Sequence, residues 1–227
     1  MKKSNTNARI LYEDNHLIAV NKKAGDIVQG DKTRDAPLSD FVKAYIKTKY
    51  NKPGEVFLGT IHRLDRPTSG IVLFARTSKA LSRMNEQFRN KKVQKTYWAV
   101  VDKAPPHKAG VLENYLQKNQ KQNKSYVSKQ KDGKLAVLEY KLQKKLDRSF
   151  LLEIIPKTGR HHQIRVQLSH IGCIIKGDLK YGASRSNKDA SIHLLARELV
   201  FIHPVKKEPI CITATAPKDI LWDACKI

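Results

Sequence analysis

The chain has 227 residues, 40% of them hydrophobic and 29% charged, so it is long enough to form one sizeable core, and we expect a single domain. Its 44 Lys and Arg residues against 21 Asp and Glu give a formal net charge of +23, which predicts a polyanionic partner such as RNA or DNA. No stretch approaches the roughly 18 apolar residues of a membrane span, and the basic start lacks the apolar core of a signal peptide, so a membrane contact is not expected.

The N-terminal half alternates short strands with amphipathic helices. The runs Ile10–Tyr12 and Leu17–Asn21 flank a polar turn and predict a β-hairpin. From Pro37 to about Tyr50 the apolar residues follow helical spacing, which predicts a helix with Pro37 in its first turn. The apolar run Ile71–Ala75 predicts a buried strand, and Ser78 is expected to cap the helix that follows.

The C-terminal half is richer in strands. Residues 117–134 are too polar for a core, so we expect either a solvated loop or an RNA-contacting arm there. A short basic helix is predicted over Gly159–Ile171, closed by Gly172. The predicted strands are Gln94–Asp102, Leu135–Leu142 paired with Phe150–Ile155, Ile192–Leu195, Leu199–Ile202 and Pro209–Thr213. The predicted fold class is α+β, with a mixed, mainly antiparallel sheet flanked by a few helices.

Neither the cysteines nor the histidines predict a metal site. Cys173, Cys211 and Cys225 show no metal-ligand spacing and leave an odd thiol under any pairing. Reduced cysteines are therefore expected, and with them a cytoplasmic location. His161 and His162 are adjacent, so we expect them to lie on different faces of the predicted basic helix.

The most informative segment reads His-Arg-Leu-Asp-Arg-Pro-Thr-Ser-Gly over residues 62–70. One carboxylate, Asp65, lies between Arg63 and Arg66 in a strongly basic chain. Positive surroundings keep a carboxylate ionised, so Asp65 is placed to act as a nucleophile or base on a phosphate-rich substrate. For this segment alone, a surface salt bridge is the competing interpretation.

Further sequence blocks follow this segment in the order of a known family. They are Lys95-Thr96-Tyr97, the basic run Thr158–Arg165, Gly177-Asp178 before Lys180-Tyr181-Gly182, and His203-Pro204. Through these blocks the chain resembles the RluA-type RNA pseudouridine synthases over roughly residues 9 to 217. The ordered recurrence of several blocks makes this resemblance far more specific than any one of them.

The resemblance implies an isomerisation that needs no cofactor and no metal. A specific uridine of a structured tRNA or rRNA is flipped out, and its uracil is detached at nitrogen, turned and rejoined through carbon. The resemblance further implies that Asp65 is the nucleophile and that Arg165 pairs with it and keeps it charged. Tyr97 is implied to lie beside the flipped base, where its ring stacks and its hydroxyl assists proton removal.

Five further residues are expected to bind the substrate. Arg63 is implied to fill the space that the extruded nucleotide leaves. Leu195 stands where the family has a histidine, a departure that leaves it as a candidate apolar wall of the uracil pocket. The matched blocks add His62, Arg160 and Gln163 to this group.

We expect residues 1–8 to form a flexible basic N-terminus, and residues 9–227 to form a monomeric catalytic domain without a separate N-terminal RNA-binding module. A non-catalytic RNA-binding or ribosome-assembly factor with the same fold is the alternative hypothesis. A metal-dependent nuclease is a third hypothesis. It is disfavoured because the sequence near Asp65 contains no cluster of acidic residues suited to a divalent ion.

Overall fold

A computed structural model describes residues 9–30 and 35–225, so the predicted flexible segment 1–8 lies outside the described residues. The chain divides into two compact units. Unit 1 takes in residues up to 94 and residues 197–215, and unit 2 takes in residues 95–196 and the chain from 216 onwards. The prediction of a single catalytic domain over residues 9–227 stays a prediction.

The elements confirm the predicted α+β class with mostly antiparallel strands. The helices are α1 (Leu38–Lys49), α2 (Ser78–Arg89), α3 (Gln163–His170) and α4 (Ile220–Ala224). The strands are β1 (Ile10–Glu13), β2 (Leu17–Lys22), β3 (Gly59–Thr60), β4 (Ser69–Ala75), β5 (Gln94–Val101), β6 (Ala109–Asn119), β7 (Lys124–Ser128), β8 (Lys134–Leu146), β9 (Ser149–Pro156), β10 (Leu194–Ile202) and β11 (Pro209–Thr213). In the part of the chain that the structure describes, no helix is both long and apolar enough to cross a membrane.

The sheet of unit 1 is built around β2 and β4, which pair antiparallel from Leu17 opposite Ala75 to Lys22 opposite Gly70. β1 completes the predicted hairpin with β2, and β3 pairs with β4. Strand β4 is buried along its whole length, which explains why its sequence is continuously apolar rather than alternating. The predicted helix α1 packs its buried face on this sheet, with Val42 in the same core as Phe74.

In unit 2, neighbouring strands pair antiparallel in the order β5, β9, β8, β6 and β7. The pairing of β8 with β9 confirms the two strands predicted to lie side by side. Helix α3 packs on this sheet, where Leu168 shares a core with Ala99 of β5 and Leu152 of β9.

The prediction of a loop over residues 117–134 is wrong, because β6 continues to Asn119 and β7 returns as its hairpin partner. Most side chains of this hairpin are exposed, and the buried exceptions include Leu116 and Ser125. The ladder satisfies the backbone hydrogen bonds, and only a few apolar side chains of the hairpin, among them Leu116 and Val127, join a hydrophobic cluster. Hydrophobic patterning therefore gives a weak signal for such strands. RNA contact by this hairpin stays a prediction.

The predicted basic helix begins four residues later than expected, at Gln163. His162 has φ +54°, which no right-handed helix accommodates, so Arg160 lies before the helix rather than on its first turn. The expectation that His161 and His162 point to different faces is also wrong, since their rings stack with centroids 3.8 Å apart. Gly172 follows the helix end with φ +79°, as predicted.

Two other boundaries differ from the predictions. Thr77, not Ser78, caps α2, because its Oγ1 accepts a hydrogen bond from the backbone nitrogen of Ala80 at 3.2 Å. The two short strands predicted over residues 192–202 form one strand, β10. Its first residues belong to unit 2, and the rest belong to unit 1, where they pair with β11.

Candidate active-site residues

Asp65 lies in the loop that connects β3 to β4 in unit 1, and its side chain is half-buried. The Thr68 backbone nitrogen donates to the Asp65 carbonyl at 3.0 Å, which closes a turn. Of the flanking arginines, Arg63 is exposed, and Arg66 pairs with Asp35 at 2.7 Å on the surface. The loop therefore combines a fixed backbone with cationic side chains in solvent.

A buried lysine at the end of β2 holds this loop. Lys22 is only 1% exposed. Its Nζ donates to the carbonyl oxygens of Asp65 (3.2 Å), Arg66 (3.0 Å) and Thr68 (2.7 Å). Burial lowers the pKa of the amine to about 8, against the opposing attraction of Asp26 and Asp65. Sequence reasoning missed Lys22, although a lysine that ends an apolar strand was a signal.

His62 precedes Asp65 in the same loop and is anchored to the elements around it. Its Nε2 accepts a hydrogen bond from the Leu73 backbone nitrogen at 3.1 Å, and its ring stacks on Phe88 of α2 with centroids 5.2 Å apart. These contacts tie the loop to β4 and α2. The predicted contact of His62 with substrate stays a prediction.

In unit 2, Arg165 lies in the first turn of α3 and is 5% exposed. Its Nε and Nη2 donate to the two carboxylate oxygens of Asp178 at 2.7 and 2.8 Å, and its guanidinium lies 5.1 Å from the centre of the Tyr181 ring. A buried guanidinium needs such a partner, because the cost of removing a lone charge from water is large. Asp178 is a partner of Arg165 that the sequence did not predict, and the predicted pairing of Arg165 with Asp65 stays a prediction.

The segment that carries Asp178 is closely fitted to its surroundings. Gly177 has φ +86°, and a Cβ at this position would come within 2.7 Å of the Ser191 carbonyl oxygen. Only glycine fits both constraints. The Gly177-Asp178 block of the sequence therefore reflects a backbone requirement next to the partner of Arg165.

The ring beneath Arg165 belongs to a buried polar network. The Tyr181 hydroxyl accepts from the Ser125 backbone nitrogen at 2.9 Å and lies 2.9 Å from His162 Nδ1. Ser125 Oγ is 2.8 Å from His161 Nδ1. The network ties the β6–β7 hairpin to the start of α3. Burial, with further repulsion from Arg165, lowers the pKa of His162 to about 2, so this histidine is neutral.

Two other predicted site residues in unit 2 flank the start of α3. The Gln163 Oε1 accepts from Thr158 Oγ1 at 2.7 Å and from the Arg160 backbone nitrogen at 3.0 Å, and its Nε2 donates to the Val137 carbonyl at 3.1 Å. Gln163 thus positions the turn into the helix. Arg160 is exposed, with its Nε donating to the Leu135 carbonyl at 2.8 Å.

The last two predicted residues lie on strands of unit 2. Tyr97 is half-buried on β5, opposite Ile154 of β9. Leu195 is fully buried on β10. The predicted residues therefore form two groups, with His62, Arg63 and Asp65 in one loop of unit 1 and the other five in unit 2.

Comparison with known proteins gives concordant matches. A family profile described as RNA pseudouridylate synthase matches residues 16–170. The ribosomal large subunit pseudouridine synthase C of Buchnera aphidicola subsp. Acyrthosiphon pisum is 37% identical over 93% of this chain and 68% of its own length. The tRNA pseudouridine synthase C of Haemophilus influenzae is 36% identical over 90% of this chain and 91% of its own. The solved structure of Human RNA Pseudouridylate Synthase Domain Containing 4 has a TM-score of 0.80 and 26% identity, and covers 96% of this chain and 92% of that one.

The contacts of Lys22 predict that Lys22→Met both destabilises the protein and slows its reaction. Three carbonyls of the Asp65 loop lose the hydrogen bond from Nζ, which should lower the free energy of unfolding by about 1–3 kcal/mol. Denaturant unfolding and turnover measurements test this, with the exposed neighbour Lys23→Met as the matched control. Unchanged stability and turnover in Lys22→Met would show that the amine does not hold the loop.

The neutral His162 predicts an acid-dependent loss of stability. Between its folded pKa of about 2 and the ordinary value of 6.5, the unfolded chain binds a proton at this residue and the folded chain does not. The free energy of unfolding therefore decreases as the pH is lowered through this window, and this residue contributes about 1.4 kcal/mol per pH unit. His162→Asn should remove that part of the slope and suits the positive φ. Urea unfolding from about pH 7 to 4 measures the slope, and the exposed His170→Asn should retain it.

Proposed function

The chain belongs to the RNA pseudouridylate synthase family and is an RNA pseudouridine synthase, and from this premise we propose that it isomerises a specific uridine in a structured tRNA or rRNA. The target base is flipped out of the RNA, and Asp65 acts as the nucleophile. Membership of an enzyme family favours this function over the alternative of a non-catalytic RNA-binding factor. The named relatives include both rRNA and tRNA enzymes, which supports keeping both classes of RNA as candidates.

The observation that carries the assignment of Asp65 is the way its loop is held. The Lys22 amine binds the carbonyls of Asp65, Arg66 and Thr68, so the backbone from Asp65 to Thr68 is fixed before RNA arrives. A nucleophile acts efficiently when its approach is preorganised, because no conformational entropy is then lost at the reaction step. The half-buried carboxylate remains accessible to a nucleotide.

The proposed reaction exchanges one bond to ribose for another. The bond between the ribose and the uracil nitrogen breaks, Asp65 forms a transient bond to the nucleotide, and the base turns. A bond from the ribose to a ring carbon then forms, the bond to Asp65 breaks and regenerates the carboxylate, that carbon loses its proton, and the released nitrogen gains one. The sum is an isomerisation, so no oxidant, reductant or cofactor enters the balance. Tyr97 is assigned to stacking on the uracil and to assisting the proton removal.

Arg165 is assigned the role of the cation that keeps the nucleophilic carboxylate ionised in the reaction. Asp178 and the Tyr181 ring hold its guanidinium in one orientation. A fixed orientation supports a role in which the guanidinium faces one particular carboxylate.

The remaining assignments concern RNA binding. The exposed arginines Arg63 and Arg160 suit contacts to phosphate, and Arg63 also suits the space left by the flipped nucleotide. His62 and Gln163 are anchored to protein groups, so we assign them to contacts with the substrate made from fixed positions. Leu195 is assigned to the apolar wall of the uracil pocket.

We expect Asp65→Asn to abolish the isomerisation while RNA binding changes by less than about threefold. Asparagine keeps the shape of the side chain but is not a nucleophile for this step. The measurement is tritium release from RNA labelled at carbon-5 of uridine, together with a direct binding assay. Asp40→Asn is the matched control, because it removes an exposed carboxylate from α1 of the same unit.

Normal tritium release by Asp65→Asn would contradict the assignment of Asp65. Pseudouridine mapping across total RNA, in cells with and without the protein, identifies the modified position. A set of RNAs unchanged by removal of the protein would contradict the proposed reaction itself.

We expect Arg165→Lys to lower kcat by at least about tenfold and to change RNA affinity far less. Lysine keeps a positive charge but cannot make the two parallel hydrogen bonds to Asp178. Single-turnover rates and equilibrium binding separate the two effects, and thermal unfolding checks that the variant is folded at the assay temperature. Arg89→Lys, an exposed change at the end of α2, is the control. Equal losses of binding and turnover would contradict a role in the reaction.

A further inference from the structure

Unit 2 contains a groove of about 910 Å³ that none of the proposed catalytic or substrate-binding residues lines. Its walls come from the turn between β8 and β9, the segment 174–177, the loop 183–187 and α4. We call it the basic groove, after five cationic side chains in its lining: Lys144, Lys145, Arg148, Lys176 and Arg185. Its volume is at the upper end of the range for ligand pockets.

The charge of the basic groove favours an anionic occupant. Among the described residues that line the groove, two carboxylates, Asp102 and Asp147, join the five cations. Asp102 is turned to the protein and accepts from the Ile174 backbone nitrogen at 2.9 Å. Within residues 9–30 and 35–225, Lys145 near the end of β8 and Arg148 on the β8–β9 turn form no ion pair with a carboxylate. Cations gathered in a concave surface raise the local concentration of anions.

The groove also has an apolar side. Ile174 and Leu221 line it, and Ile220 at the start of α4 is 91% exposed. An isoleucine that open to water is unusual for a site that binds only phosphate ions. Proteins hold single-stranded nucleic acid by combining cations, which contact the phosphates, with apolar surface, which contacts the bases or riboses.

Buried hydrogen bonds hold the walls of the groove in place. His193 is 5% exposed and contacts two walls, with Nε2 at 2.9 Å from Asp219 Oδ2 and Nδ1 at 3.1 Å from Asn187 Nδ2. Asp219 also caps α4 by accepting from the Leu221 backbone nitrogen at 2.7 Å. The loop 183–187 and α4 are therefore fixed by one histidine, and the groove is preorganised.

We propose that the basic groove binds the RNA strand that flanks the target uridine, with phosphates on its cationic rim and a base or ribose on its apolar side. This inference rests on the proposed function, because it takes RNA as the substrate. Lys176 and Gly177 of the groove wall lead directly to Asp178, the partner of Arg165. A strand in the groove therefore contacts the segment that anchors a proposed catalytic residue.

Removing the positive charges of Lys145 and Arg148 tests the proposal that the basic groove binds RNA. In Lys145→Gln/Arg148→Gln, KM and Kd for the RNA should rise about tenfold, while kcat changes less than about twofold. The slope of log K against log salt should become shallower by about 0.7 to 0.9 for each phosphate that the variant no longer neutralises. Lys43→Gln/Lys47→Gln on α1 removes the same charge from unit 1 and should raise Kd less than about threefold.

Two results of this experiment would overturn the groove assignment. One is an unchanged Kd in the Lys145→Gln/Arg148→Gln variant. The other is an equally large rise of Kd in the α1 control, which would show that the effect comes from the overall charge of the protein and not from the groove. Failure of the proposed function looks different. The parent protein would then form no pseudouridine in any RNA, whatever the state of the groove.

A crosslinking experiment identifies the occupant without altering any cation. A benzoylphenylalanine in place of the exposed Ile220 should crosslink on irradiation to nucleotides flanking the modified uridine. Crosslinks that form only to a second copy of the chain or to another protein would overturn the assignment to RNA. The expected crosslink should disappear when unlabelled substrate RNA competes.

Discussion

The proposed chemistry of unit 1 depends on the hydrogen bonds that the buried Lys22 amine donates to the Asp65 loop. Removing an ammonium group from water is unfavourable, and here the carbonyl oxygens of the Asp65 loop replace the lost water. The same hydrogen bonds give the loop one backbone path. Burial of a charge, which destabilises most folds, thus becomes a means of fixing the residue that we assign as the nucleophile.

Unit 2 meets a similar constraint with a different partner. The buried guanidinium of Arg165 is balanced by the Asp178 carboxylate rather than by carbonyls, and the Tyr181 ring covers one face. Because Tyr181 also binds Ser125 of the β6–β7 hairpin, a long and largely exposed hairpin is tied to the proposed reaction machinery. RNA that contacts the hairpin would therefore act on a rigid network instead of a free arm.

Several histidines have structural roles that their residue type does not reveal. His62 and His162 hold the two groups of site residues, while His193 fixes the walls of the basic groove. His203, in the His-Pro block, is fully buried with its Nε2 2.7 Å from Asp14 of the first hairpin. In a strongly basic chain that binds a polyanion, these rings act as hydrogen-bonding groups within the fold.

The sequence by itself determined the family, the α+β class, the first hairpin, α1 and the β8–β9 pair, because these depend on local periodicity or on short motifs. It also predicted Asp65 and Arg165 as catalytic residues, an assignment that stays a prediction. Only the tertiary structure decided which groups hold them, since Lys22 reaches the Asp65 loop through the pairing of β2 with β4 across more than 40 residues. The polar β6–β7 hairpin and the late start of α3 were missed for a related reason. Backbone hydrogen bonding and a positive φ at His162 set them, and neither leaves a hydrophobic pattern in the sequence.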